Sequence, residues 1–280
     1  MFLLIILAAS IRINGTLDTE NMVRNVKEDQ IETDFFIRTR KNPVSLYLRV
    51  LDLAPPDFQS HKSYYWKRIS GDFEYFSFKL GNYYSTYLDG LLIRATDDTE
   101  FKRDRTLYGA HLNFNKHFLN VSAFTGNPRD INYENFDYNT VNDTSNTITG
   151  IDLNMKFKRQ KLEFGYLRMR DRGDINSRTF TELYGAGTEI TLPFSDFFLY
   201  YIHKGGCRPY TGGEYSGNGI IGGFSTFYEF AGVQFNYAYY DSIALGEGPF
   251  RYNDPRPLNK SEISLNRGES ERGFGVIIDF

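Results

Sequence analysis

The sequence predicts an all-β fold: an antiparallel transmembrane β-barrel of about fourteen strands, in a range of roughly 12 to 16. Three observations predict it. Ribbons with one oily face and one ionisable face recur along the chain. Tight turns alternate with long polar loops. The chain closes on an alternating apolar strand that ends in Phe280.

The stretch from Thr149 to Arg159 shows the ribbon most clearly. Ile151, Leu153, Met155 and Phe157 fall on one side of an extended chain, and Asp152, Asn154, Lys156 and Lys158 on the other. Successive side chains of a strand point to opposite faces, so the two sets are segregated by geometry alone. Earlier in the chain Phe35, Ile37 and Thr39 oppose Asp34, Arg38 and Arg40; Val44, Leu46, Leu48 and Val50 oppose Ser45, Tyr47 and Arg49. Later, Tyr184, Ala186, Thr188, Ile190 and Leu192 oppose Gly185, Gly187 and Glu189. Val233, Phe235 and Tyr237 oppose Gln234 and Asn236.

Tight turns are expected near residues 42, 71, 116, 160, 194 and 229. Polar loops are expected around Pro55-Pro56, then over 82–105, 127–146, 171–178, 205–217 and 242–271. Membrane strands need about ten residues to cross. A repeat of roughly twenty residues per strand and connection fits that requirement. Strict alternation places the tight turns on one side, as periplasmic turns, and the long loops outside. Phe114, Phe118, Phe157, Phe164, Phe194, Phe197, Phe227 and Phe230 crowd the strand ends near the turns. Aromatic girdles at the two membrane interfaces have this placement; aromatic residues common in any sheet are the plainer account.

Composition narrows the function. The 280 residues carry 32 basic and 35 acidic side chains, a net charge of −3 too balanced for a nucleic-acid footprint. Aromatics reach 17% of residues, which favours strands over helices. One cysteine, Cys207, can form neither an internal disulfide nor a thiolate metal cage. Residues 1–10, Met1 to Ser10, form an apolar run with a small-residue end, expected to be an export signal although no basic residue precedes it. Residues 11–280 are expected to form the single barrel domain. Elsewhere no run is apolar enough for a transmembrane helix, so strands are the remaining route into a bilayer.

Catalytic patterns are weak. His61, His111, His117 and His203 lack metal-ligand spacing. Gly185-Ala186-Gly187 and Gly212-Gly213 lack the strand-to-helix setting of a phosphate loop. No triad can be assembled around His203 or Ser216. Asp97-Asp98 and Asn142-Asp143 could hold calcium, but plain solvation is the simpler account. The expectation is a chain that is not an enzyme, with no cofactor and no metal.

Three patches resemble an uncharacterised family of bacterial outer-membrane-type, porin-like barrels. They are Gly81-Asn82-Tyr83-Tyr84 with Gly90-Leu91-Leu92-Ile93-Arg94, then Tyr252-Asn253-Asp254-Pro255, then Leu265-Asn266-Arg267-Gly268. The family pattern has Asp where this chain has Asn82 and Gly where it has Leu88, and family members are longer. The resemblance implies a bacterial outer-membrane location and brings no activity or site residues with it.

The expected function is therefore passive passage of small polar solutes through an outer-membrane barrel. A non-conducting structural or surface-binding barrel, and a soluble β-sandwich or lectin-like domain, remain open at this point. The partners expected are the lipid bilayer and the outer-membrane assembly machinery, which would read Phe274, Val276, Ile278 and Phe280. Inward, pore-lining positions would be Asp34, Arg38, Arg40, Arg49, Asp152, Lys156, Lys158, Gln234 and Asn236. The excursion over 82–105 is similar to a porin constriction loop, with Arg94, Asp97, Asp98, Glu100, Arg103 and Arg105 as its charges; a solvated surface loop is the simpler account. If the excursion lines the pore, neutralising Arg94 and Arg103 together will change the cation-to-anion selectivity read from reversal potentials. Unchanged selectivity would remove those residues from the pore.

Overall fold

The computed structural model describes residues 15–26, 28–41, 43–54, 62–98, 103–132, 146–171, 180–208, 213–228, 231–245, 252–253 and 270–279. Residues 1–10, Glu100 and Phe280 lie outside them, as do Pro55-Pro56, Asn142-Asp143, Phe230 and the patch from Leu265 to Gly268. The chain forms two compact units, 1–83 and 84–280.

The first unit is an antiparallel meander of five strands: β1 (Gly15–Val26), β2 (Glu28–Lys41), β3 (Val44–Ala54), β4 (Lys62–Asp72) and β5 (Phe76–Tyr83). Val44, Leu46 and Ile69 are exposed on one face. On the other, Trp66 is buried and packs edge-on against Tyr47, with the Arg68 guanidinium over both rings. Asp34, Arg38, Arg40 and Arg49 fall within the β2 and β3 ladders, at positions whose side chains are outside the described set. The turn expected at Ser70-Gly71-Asp72 lies three residues further on. Gly71 and Asp72 still pair with Phe78 and Ser77, so the turn is formed by Phe73, Glu74 and Tyr75. The join of β1 to β2 is also tight, with Val26 opposite Glu28, so alternation of short and long connections begins only after β2.

The second unit opens with short pieces: β6 (Ser85–Tyr87), a single 3-10 turn at Leu88–Gly90, β7 (Ile93–Ala95) and β8 (Asp97–Asp98). Nine long antiparallel strands follow: β9 (Arg103–Lys116), β10 (Leu119–Asn132), β11 (Asn146–Lys156), β12 (Gln160–Asp171), β13 (Phe180–Leu192), β14 (Ser195–Arg208), β15 (Gly213–Tyr228), β16 (Ala231–Asp241) and β17 (Ser270–Asp279). Each pairs with the next in sequence. With β1–β5 this makes fourteen long strands among the described residues, matching the number read from the sequence.

The strands are longer than their sequence pattern implied. β10 runs through Pro128 to Asn132, because its ladder with β11 ends at Gly126 and proline is tolerated where one ladder has stopped. β14 and β15 extend through the glycines between 205 and 217, leaving only 209–212 as the connection.

The two faces alternate along the strands from β9 to β16. On β11, Ile151 is exposed while Ile148, Gly150 and Asp152 are buried. Phe164, Tyr166, Tyr184, Leu199, Phe224 and Phe274 are exposed on the same side of their strands as Ile151. Phe118 and Phe157 stack at 5.6 Å beside two neighbouring tight turns, with Phe194 and Phe227 exposed at two others. β17 differs, since Ile277 is exposed on the face opposite Phe274, Val276 and Ile278.

Candidate inward-folded segment and its polar belt

The buried face of the second unit receives its own chain. Residues 85–95 fold against it, with Leu88, Leu91 and Leu92 fully buried. The segment lands where β12 and β13 carry glycine. A Cβ on Gly165 would stand 2.7 Å from Leu92 Cδ2 and 3.1 Å from Leu88 Cδ1. On Gly185 it would stand 2.9 Å from Leu88 Cδ1. These glycines therefore form a socket for two leucines. Around it the wall's buried face is apolar, from Leu107, Ile148, Leu167, Leu183 and Ile202.

The tip is strained. Leu88, Asp89 and Gly90 have φ of 49°, 52° and 86°, three left-handed residues in a row. For residues with a Cβ this costs about 1–2 kcal/mol each. Leu88 stands where the resembling family has glycine, so here a leucine occupies a glycine conformation, and burial of its side chain offsets the strain. Its N–H is satisfied by the wall, donating to Glu163 Oε1 at 2.7 Å.

Glu163 belongs to a polar belt crossing six neighbouring strands toward the tight-turn end of the socket. His111 of β9 lies 2.7 Å from the Tyr87 hydroxyl through Nε2. Tyr87 also stacks on Phe124, and burial holds its phenol above the ordinary value, so it stays neutral. Ser122 of β10 donates to Asn113, and Asp152 of β11 lies buried beside Glu163. Lys161 of β12 bridges Glu163 at 2.8 Å and Glu189 of β13 at 2.9 Å. The Tyr200 hydroxyl of β14 also donates to Glu189. The Asp152 Oδ1 atom has no hydrogen-bond partner among the described residues. Two glutamates thus share one lysine, with the Asp152 carboxyl buried beside them.

A second anchor comes from the far end of the chain. Asn253 is 1% exposed. Its Nδ2 donates to the carbonyls of Leu91 at 3.0 Å and Ile243 at 2.9 Å, while Oδ1 accepts from the Leu245 N–H at 2.7 Å. Arg94 N–H donates to the Tyr252 carbonyl at 2.9 Å. Gly90 to Arg94 of the first sequence patch thus meets Tyr252-Asn253 of the second. Asn82 of the first unit is buried as well and accepts from the Lys67 N–H at 3.1 Å, a role that the family's Asp would also fill.

Of the residues proposed to line a pore, Asp152 joins the belt directly. Gln234 and Asn236 are half-buried on the inward side of β16, Lys156 is exposed at the end of β11, and Lys158 lies in the exposed turn beyond it. Arg94 and Arg105 are half-buried, while Asp97 and Asp98 pair through their backbones with Asp104 and Arg103. His203 faces outward beside Tyr184 and Asn218, away from the belt. The sequence reading did not single out Glu163, Lys161, Glu189, Tyr87 or Tyr200. Lys161-x-Glu163 on one strand face, opposite a lone glutamate among glycines, was the available signal.

No protein-family model matches the sequence, and a search of curated proteins finds no match. Solved structures do match. Pseudomonas aeruginosa OccK3 (OpdO) aligns with a TM-score of 0.58 at 13% identity, covering 94% of this chain and 70% of that one. OccK2 (OpdF) of the same organism, in complex with glucuronate, gives 0.54 at 13%, covering 90% and 69%. OpdK with vanillate, also from P. aeruginosa, gives 0.55 at 11%, covering 90% and 71%.

The socket makes a measurable prediction. Gly165→Val drives methyl groups into Leu88 and Leu92 and will lower unfolding stability by about 1–3 kcal/mol. Gly205→Val, where no atom lies within 4 Å of the added Cβ, will change it by less than about 0.5 kcal/mol. Denaturant titration in detergent reads both, and equal effects would remove the socket. The matched structures are β-barrel porins, and at these identities the likeness establishes one thing about this chain: it has their antiparallel β-barrel fold.

Proposed function

We propose that this chain is a bacterial outer-membrane channel through which small polar solutes pass, and that the inward segment narrows the path. The observation that carries this reading is the pairing of two features on the same strands. Apolar side chains such as Ile151, Phe164 and Leu199 are exposed on one face; on the other, ionisable groups such as Lys161, Glu163 and Glu189 surround a folded-in segment. Exposed oily side chains need lipid, and inward charges need partners or water. The β-barrel fold shared with porins supports the same reading. Glucuronate and vanillate, bound by two matched proteins, are both small carboxylates, so a small polar organic solute is the natural first class to test. Arg94, Asp97, Asp98, Glu100, Arg103 and Arg105 remain candidate charges of the narrowing, and Phe274, Val276, Ile278 and Phe280 the candidate assembly signal.

The tight apolar packing of Leu88, Leu91 and Leu92 favours one rival, a plugged barrel that conducts nothing. Purified protein in a planar bilayer separates the two. The channel reading expects discrete, steady current steps in simple salt; a folded barrel with no current leaves the plugged reading. Lipid contact has its own test. Ile151→Arg will lower stability in lipid vesicles by about 2–4 kcal/mol, a cost specific to a charge facing hydrocarbon. A change near zero would remove β11 from the bilayer.

A further inference from the structure

We infer that Asn253 is a positioning residue, a clasp that ties Leu91 of the inward segment to Ile243 and Leu245 after β16 and so sets how far the segment reaches into the lumen. The inference rests on the channel reading for its effect on current, but not for its effect on the segment.

The geometry is specific to a carboxamide. Both Asn253 N–H groups are used, one on Leu91 of the inward segment and one on Ile243 of the β16–β17 connection, and the oxygen takes a third bond from Leu245. One side chain therefore joins stretches 162 residues apart in sequence. Tyr252 repeats the link through its backbone, donating to Leu245 at 2.8 Å and accepting from Arg94 at 2.9 Å. The connection is itself fixed to the wall. The buried Lys204 ammonium donates to the Ala244 carbonyl. Ile243 lies over Gly219, where a Cβ would meet Ile243 Cδ1 at 2.9 Å.

The inward segment thus hangs between two points of different character. At its tip, Glu163 holds Leu88 directly from the wall. Further along, the carbonyl of Leu91 and the N–H of Arg94 bond to Asn253 and Tyr252 of the β16–β17 connection. Loss of the Asn253 side-chain bonds frees the carbonyl of Leu91 and leaves the Glu163 anchor in place. The segment would then loosen around Leu91 and change the width of the passage.

Asn253→Ala and Asn253→Asp test this together. Aspartate has the shape of asparagine and keeps the acceptor for Leu245, but it turns two donated bonds into carboxylate facing two carbonyls. A space-filling role tolerates it, and a clasp does not. With folded barrels confirmed by heat-dependent gel mobility, hydrogen exchange is followed for the backbone amides of 91–94. Both variants are expected to exchange there at least tenfold faster than the parent, with β11 and β12 amides unchanged. In planar bilayers both should convert steady steps into flickering or larger ones. Parent-like exchange in Asn253→Asp overturns the clasp. Faster exchange with current indistinguishable from the parent overturns its control of the passage. Absence of current in the parent protein itself counts against the channel reading, and exchange still decides the clasp.

Discussion

A β-strand has two faces and no interior, and the rest of this structure follows from that constraint. A wall one strand thick must keep its oily side chains and its charged ones on opposite sides with nothing between them but backbone. Ile151 and Asp152 are neighbours in sequence, yet one is 47% exposed and the other 4%. A shift of one residue in register would exchange every such pair. The unbroken ladders from β9 to β17 hold the register in place, with Phe118, Phe157, Phe194 and Phe227 at the tight turns.

The same constraint shapes the inward segment. A piece of chain folded against the inner face carries backbone donors and acceptors away from bulk water, and each needs a partner. The wall and the β16–β17 connection both supply them. Glu163 takes the N–H of Leu88, Asn253 takes the carbonyl of Leu91, and Tyr252 takes the N–H of Arg94. Glycines at 165 and 185 let the leucines approach, because any side chain there would hold the segment off. Glycine in a strand weakens it, and aromatic neighbours limit the loss. The Phe124 ring covers Gly150 and the Tyr200 ring covers Gly187, each from the directly paired position on the next strand.

Much of the wall was legible in the sequence, because alternation is a local signal. Ile151 against Asp152 on β11, Tyr184 to Leu192 against Gly185, Gly187 and Glu189 on β13, and Phe235 against Asn236 on β16 lie on the faces their spacing assigns. Strand ends were less legible. The glycines between 205 and 217 read as loop, since glycine is a poor strand former, yet pairing with neighbours carries β14 and β15 through most of them. Pro128 was misleading for a related reason, as the sequence does not say where one ladder stops.

How the polar belt and the two anchors come together was not legible, although Asp152 of the belt was. Leu88 to Arg94 and Tyr252-Asn253 stood out as motifs, but their meeting depends on a contact across 162 residues. Asp89-Gly90 carries an ordinary turn signal, but nothing in the sequence marks the left-handed conformation of Leu88 before it. Lys161, Glu163 and Glu189 look like ordinary surface charges until the facing strands bring them within 3 Å.

The central claim is the two-faced wall, and a nitroxide scan along β11 tests it most directly. Spin labels at each position from Ile148 to Lys156, reconstituted in lipid vesicles, report collisions with oxygen from the bilayer and with a water-soluble nickel chelate. The account predicts oxygen maxima at residues 149, 151, 153 and 155 and minima at 148, 150, 152 and 154. A flat profile, or maxima at the even positions, would contradict it.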